Sequence, residues 1–157
     1  MTAAASTHGV GSYILFTVAG TTYALPSGAV QHMEMVEKVT RVPNAPAFID
    51  GVVFSRGQVV PVVNLRARFG FERAAVDLRT RLIVVQSAGR LIGLVTDAAR
   101  EFVSIQAETI QPPNDALTGM SGRYVEGVTS LGDRLILLLN LDRILNFDEA
   151  ATIGLAD

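Results

Sequence analysis

The chain has 157 residues, a formal net charge of -2, 49% hydrophobic residues and only 18% charged ones, a balance that supports a substantial core and excludes a disordered segment. That balance concerns the chain as a whole and not its two ends, and the lack of any cysteine removes disulfides, thiolate nucleophiles and cysteine-ligated zinc from consideration. Among its 13 basic residues only Lys38 is a lysine, and the arginines are scattered rather than gathered into the concentrated positive field that nucleic acid requires.

Residues 1–33 carry no formal charge, yet Gly11, Ser12, Thr17, Gly20, Thr21, Thr22, Pro26 and Ser27 interrupt the stretch before about 20 apolar residues accumulate, as a membrane span would need. Residues 1–11 lack the basic and apolar blocks of a secretory signal, so a cytoplasmic location is expected. The first strand is predicted over 13–18, followed by a turn at Ala19-Gly20 and strands over 22–25, 30–39, 51–55 and 58–63. These runs are short, rich in Val, Ile, Phe, Tyr and Thr, and bounded by Gly or Pro. Further strands are predicted over 82–86, 91–96, 101–105, 124–130 and 134–139. Pro61 has no N–H for a ladder, which predicts an edge strand or a bulge there.

The order of these elements is written twice. Residues 14–20 resemble 83–89 at a shift of 69, which also carries Val30 to Ala99 and Pro43 to Pro112. Gly51-Val52 precedes Asn64-Leu65 as Gly127-Val128 precedes Asn140-Leu141, at a shift of 76. The second copy has therefore gained seven residues, expected around 114–122. Each copy ends with an asparagine placed to cap a short helix, whose apolar face is Leu65 and Phe69 in one copy and Leu141 and Leu145 in the other. Five strands per copy suit a small closed barrel. The fold expected is mainly β: two pseudo-symmetric, SH3-like, five-stranded barrels with short helices. They form one domain over 12–147, with subdomain one at about 13–70 plus the C-terminal helix and subdomain two at about 80–140. Residues 1–11 and 150–157 are expected to be flexible ends.

The catalytic inventory is thin. His8 lies in the expected flexible start, and a lone His32 within a strand makes no metal site. No Gly-x-Ser-x-Gly elbow, P-loop or dinucleotide fingerprint occurs, so neither catalytic residues nor a cofactor or metal is expected. Glu34, Glu37, Asp50, Asp97, Glu101, Glu126 and Asp133 fall mostly at strand ends or turns, as solvated charges do. Two convergent acids in an inter-barrel cleft would be the signature of an enzyme instead. Attention moves to residues 48–66, apolar almost throughout with a single Arg56-Gly57 interruption. Gly57 suits a tight hairpin turn, and Arg56 is either a solvated turn residue or a fork aimed at a partner.

This segment resembles the CheW family of bacterial chemotaxis coupling proteins. The resemblance rests on Tyr13-Ile14-Leu15-Phe16 and Tyr23, on Pro46-Ala47-Phe48-Ile49-Asp50-Gly51, and on Ser55-Arg56-Gly57 followed by Val59-Val60-Pro61-Val62-Val63 and Asn64-Leu65-Arg66. It continues through residues 91–97, 124–128 and 131–141, and so covers about 13–145. It implies two SH3-like barrels with a hydrophobic groove between them and no catalytic activity. It also implies an adaptor that bridges the cytoplasmic tip of chemoreceptors to the regulatory domain of the histidine kinase CheA, at membrane-associated arrays. It carries partner binding to Arg56 and to the strand bearing Val30, His32 and Met33, and backbone roles to Gly51, Gly57, Gly93 and Gly127. Phe54-Ser55, Asn64, Arg81 and His32 depart from the family's usual residues. Phe54 and Arg81 complete the expected partner-contact set, and the departures leave open a divergent chemosensory system, such as one for pilus motility.

Overall fold

The computed structural model of the chain describes residues 10–113 and 121–146, which leaves His8, the tail beyond 146 and most of the expected insertion outside the described residues. All ten predicted strands form. They are β1 (Val10–Val18), β2 (Thr21–Pro26), β3 (Val30–Met35), β4 (Ile49–Ser55), β5 (Gln58–Asn64), β6 (Arg81–Ser87), β7 (Arg90–Thr96), β8 (Ala98–Gln106), β9 (Val125–Leu131) and β10 (Arg134–Leu139). Two single-turn helices follow the last strand of each copy, α1 (Leu65–Arg68) and α2 (Leu141–Ile144). β3 stops at Met35 rather than at 39, because its partner β6 begins at Arg81, opposite Met35.

The strands make two five-stranded sheets, ordered β8-β1-β2-β10-β9 and β3-β6-β7-β5-β4. Adding five to each label of one sheet, or subtracting five, gives the other, so the repeat in the sequence is a two-fold relation in space. The halves at 13–70 and 80–140 do not each make a barrel. Each sheet takes the first hairpin of one copy and the last three strands of the other, joined by the parallel pairs β2 with β10 and β5 with β7. This exchange supplies the mutual support that two halves of this size need.

Each sheet closes on itself beyond its ladders. Thr40 and Val52 exchange two backbone hydrogen bonds of 2.8 Å, and Gln111 and Val128 do the same. The first closure depends on Gly51, at φ +144, where a Cβ would stand 2.0 Å from the Thr40 carbonyl oxygen. Gly93 and Gly127 likewise face Leu82 and Ile110 at close approach. Pro61 is not on an edge, since β5 lies between β4 and β7. Its neighbour Val52 directs both backbone groups at Thr40, and the parallel ladder with β7 begins only at Val62, so no donor is required at Pro61.

Alternation along the strands sorts the apolar residues into three layers. Leu15, Ala24, Ile136 and Leu138 fill one barrel, and Val62, Leu82 and Val84 fill the other. Ile14, Phe16, Tyr23, Val63, Ile83, Leu94, Leu137 and their neighbours form the largest cluster, which draws on both sheets. The space between the barrels is therefore largely filled rather than open as a groove. The helix caps form as expected: Asn64 Oδ1 accepts from Ala67 N and Asn140 Oδ1 from Arg143 N. Leu65 and Phe69 from α1, with Ile144 and Leu145 from α2, enter the shared core.

Candidate functional site

The hairpin of β4 and β5 turns at Arg56 (φ +49) and Gly57 (φ +83), the left-handed pair of a type I′ turn. Glycine adopts the first of these angles freely, and the equivalent position of the second copy is Gly132, at φ +60. An arginine held there costs on the order of 1 kcal/mol, and its exposed guanidinium makes no hydrogen bond among the described residues. Just behind the turn Phe54 and Val59 are cross-strand partners, 75% and 64% exposed. Large apolar residues so exposed, side by side at a hairpin tip, make a candidate contact surface.

β3 borders this hairpin where the sheet closes on itself, and its period of two divides the residues expected there. Val30 packs against the shared core, His32 and Glu34 point inward toward the seam, and Met33 and Met35 are exposed. His32 Nε2 lies 2.7 Å from Glu34 Oε2 and 3.2 Å from Ser55 Oγ, and the Ser55 hydroxyl donates to the same Glu34 oxygen at 2.6 Å. Burial works against ionisation of Glu34, but the hydrogen bonds from Ser55 and His32 and the positive His32 and Arg56 outweigh it, and the carboxyl sits below its ordinary range. The three residues are not a nucleophilic triad. Such a triad needs one ring nitrogen on the hydroxyl and the other on the acid, whereas here one nitrogen meets both and the serine proton already belongs to the carboxylate.

The Arg81 guanidinium donates to the carbonyls of Leu78 and Thr80 at 2.8 and 2.9 Å, fixing the loop before β6. Of the acids that could have built an enzyme site, Asp50 and Asp97 line an open cleft of about 800 Å³ between residues 36–50 and 73–80. Asp97 is held by both arms of Arg66, at 2.8 and 2.7 Å, and by the Ala19 N–H. Burial pushes its pKa up, but these donors prevail and lower it. Asp50 accepts from Asn64 and Arg73. Both carboxylates are thus engaged by arginine and amide donors.

Sequence reasoning assigned partner binding to Arg56, Phe54, Arg81 and the strand of Val30, His32 and Met33 without placing them together; the structure sets Phe54 and Arg56 at the hairpin and joins His32 to its root through Ser55. Sequence reasoning passed over Val59, Met35, Glu34 and Ser55, although period-two alternation through β3 and β5 would have shown the first two facing outward. It also passed over Arg68, only 5% exposed, which donates to the Ile144 and Asn146 carbonyls at the end of α2 and lies 4.1 Å over the Phe48 ring.

Comparison with known proteins gives the chain's relatives. The family model described as the CheW-like domain matches residues 12–149. Chemotaxis protein CheW of Klebsiella aerogenes is 30% identical over 141 residues, covering 90% of this chain and 85% of that protein. Chemotaxis protein CheW of Rhizobium meliloti is 32% identical over 143 residues, covering 91% and 92%. Protein FrzA of Myxococcus xanthus is 28% identical over 134 residues, covering 85% and 84%. The crystal structure of the scaffolding protein TtCheW from Thermoanaerobacter tengcongensis matches with a TM-score of 0.79 at 29% identity, covering 85% of this chain and 91% of that one.

Proposed function

This chain belongs to the CheW-like domain family, and from that premise we propose that it is a non-catalytic adaptor coupling the cytoplasmic tip of methyl-accepting chemoreceptors to the regulatory domain of a CheA-type histidine kinase. The observation that carries the reading is the corner at the tip of β4 and β5, where Phe54 and Val59 expose apolar surface beside an arginine kept in a left-handed turn. A helix laid across this corner would bury its apolar face on Phe54, Val59 and Met33 while Arg56 meets polar or acidic groups at its edge. Val30 and Arg81 support the surface, one from the shared core and one from the start of β6, where it fixes the preceding loop. Contacts of this size are individually weak and gain strength from many copies in an array. The place of action that follows is the cytoplasm, at receptor arrays. Among the described residues no helix is long and apolar enough to cross a membrane.

A coupling role in a divergent chemosensory system, such as pilus motility, is the second reading. It is favoured by Phe54-Ser55 and His32, which replace the residues usual in the family at the docking corner, and it fits the likeness to Protein FrzA. The test is co-purification with the receptor tip and the kinase regulatory domain encoded in the same genome, for the native chain and for Arg56→Ala. Loss of receptor capture by the variant, at an unchanged circular dichroism spectrum, is the expected result. Equal capture by both proteins removes Arg56 from the docking surface, and no capture by either removes the adaptor reading.

A further inference from the structure

The open cleft of about 800 Å³ lies at the other end of β4 from the hairpin tip. Asp50 at the cleft and Phe54 at the docking corner are separated by four steps along one strand, roughly 14 Å at ~3.4 Å per residue. The cleft is a separate place on the molecule, and its volume falls in the range of ligand clefts. One wall is the segment between β3 and β4 and the other is the loop before β6. The floor is made by the start of β4 and the ends of β5 and β7.

Both walls are fixed before any ligand arrives. Thr40 exchanges backbone hydrogen bonds with Val52, and Gly51, having no Cβ, lets the backbone of Thr40 and Arg41 lie against β4. Pro43 and Pro46 stiffen the segment that follows. Across the cleft Arg73 donates to Asp50 and to the Ala47 carbonyl, which ties the loop before β6 to the floor and to the opposite wall. Asp77 accepts from the N–H groups of Arg79 and Thr80 and holds the rest of that loop. A preformed cleft gives up little freedom on binding.

The charges of the floor are already paired, Arg66 with Asp97 and Arg73 with Asp50. The remaining charged residue of the lining is Arg41, which is exposed and has no hydrogen bond or ion pair among the described residues. The uncommitted charge of the cleft is therefore positive. The rim beside it is apolar, with Val42 43% exposed and Val76, on the opposite wall, 56%. Closing a barrel does not call for that arginine. In the other barrel the bridge of Thr40 with Val52 is made by Gln111 with Val128, and the residue after Gln111 is Pro112. The same barrel keeps the floor hydrogen bond, Asn140 to Glu126 in place of Asn64 to Asp50, yet has Asp142 where Arg66 stands.

We propose that this cleft is a docking site for a short acidic segment of a partner protein, which sets a carboxylate on Arg41 and an apolar side chain between Val42 and Val76. Charge complementarity selects that occupant. A basic segment would repel Arg41, and a neutral one would cover the guanidinium without a counter-charge. The proposal goes beyond the adaptor reading and does not depend on it, because the docking corner and the cleft share no residue.

The test is an amide NMR titration of the full chain with an eight-residue peptide alternating glutamate and valine, and with the same peptide carrying glutamine for glutamate. The glutamate peptide should shift the amides of residues 41–47 and 73–76 saturably and bind at least about tenfold more tightly than the glutamine one. Arg41→Glu should weaken that binding by at least about tenfold at an unchanged circular dichroism spectrum, whereas Phe54→Ser, at the docking corner, should leave it as it is. Equal binding of the two peptides, binding of neither, full affinity in Arg41→Glu, or shifts centred on residues 54–59 overturns the proposal. It is also overturned if the same shifts come from free glutamate, which would make the cleft a small-anion site, or from raising the protein concentration, which would seat a second copy there. Deletion of residues 147–157 producing those shifts would give the place to the segment bearing Asp148 and Glu149, and would overturn it too.

Discussion

Phe54→Ser is the sharpest perturbation of the proposed surface, because the molecule already contains its counterpart. Serine occupies the equivalent position, Ser130, behind the turn of the other hairpin. A phenylalanine side chain carries on the order of 200 Å², and with 75% of Phe54 exposed about 150 Å² remains to be covered by a partner. At ~25 cal/mol per Å² full burial is worth about 4 kcal/mol and half burial about 2 kcal/mol, the latter roughly a thirtyfold change in affinity. Within the folded chain Phe54 contributes only its cross-strand contact with Val59, worth up to about 1 kcal/mol. The variant should therefore keep a native circular dichroism spectrum and most of its urea midpoint, while calorimetry shows receptor-tip binding weakened by at least about tenfold. Unchanged affinity for both the receptor tip and the kinase regulatory domain, in a natively folded variant, would refute the reasoning. Phe54 would then be surface without a partner.

Two other predictions concern what holds the scaffold rigid behind that surface. Arg68→Met removes a buried guanidinium that donates to Ile144 and Asn146 and lies over Phe48. With those carbonyls left short of a donor, stability should fall by about 3 kcal/mol and the midpoint of thermal unfolding by about 6–12 °C, and a change under 2 °C, about 0.5 kcal/mol, would deny the clamp its importance. Asp97 bridges Arg66 of one barrel and the Ala19 N–H of the other, which outweighs burial and lowers its pKa. A carboxyl depressed in the folded state contributes stability above its unfolded pKa and loses it as pH falls through the folded value. Asp97→Asn should thus be less stable at pH 7 and show a flatter decline of the urea midpoint between pH 5 and pH 3. Parallel declines for the two proteins would assign acid sensitivity to other groups.

Much of the fold was legible because each strand is short, alternating and punctuated, and because the pattern occurs twice. Asn64 and Asn140 could be read as caps from position alone, since an asparagine after an apolar strand and before an apolar i, i+4 pair has few other uses. The exchange of hairpins between copies could not be read. A repeat in sequence is equally consistent with two self-contained barrels and with two that trade strands, and only the parallel pairs β2 with β10 and β5 with β7 distinguish them. Pro61 misled for a related reason. An edge is one way for a strand to need no donor, and a pair whose other member bonds elsewhere is another.

The docking corner was legible where a residue is anomalous in itself and obscure where it is anomalous only against its counterpart. Arg56 beside Gly57 invites suspicion in any apolar hairpin. Glu34 and Ser55 are unremarked polar residues until Val103 and Leu131 are recognised as the same positions in the other barrel. At these positions one copy packs the methyl groups of Val103 and Leu131, beside the Glu101–Arg134 ion pair and the Thr109–Thr129 bond, and the other has an imidazole, a carboxylate and a hydroxyl. Stability alone favours the methyl groups. The copies also differ at Arg66 against Asp142 and Arg68 against Ile144, but Phe54 against Ser130, Arg56 against Gly132, Glu34 against Val103 and Ser55 against Leu131 gather at one hairpin and its root. Four differences gathered at one hairpin that also exposes Phe54 and Val59 are what selection for a partner on that face would leave.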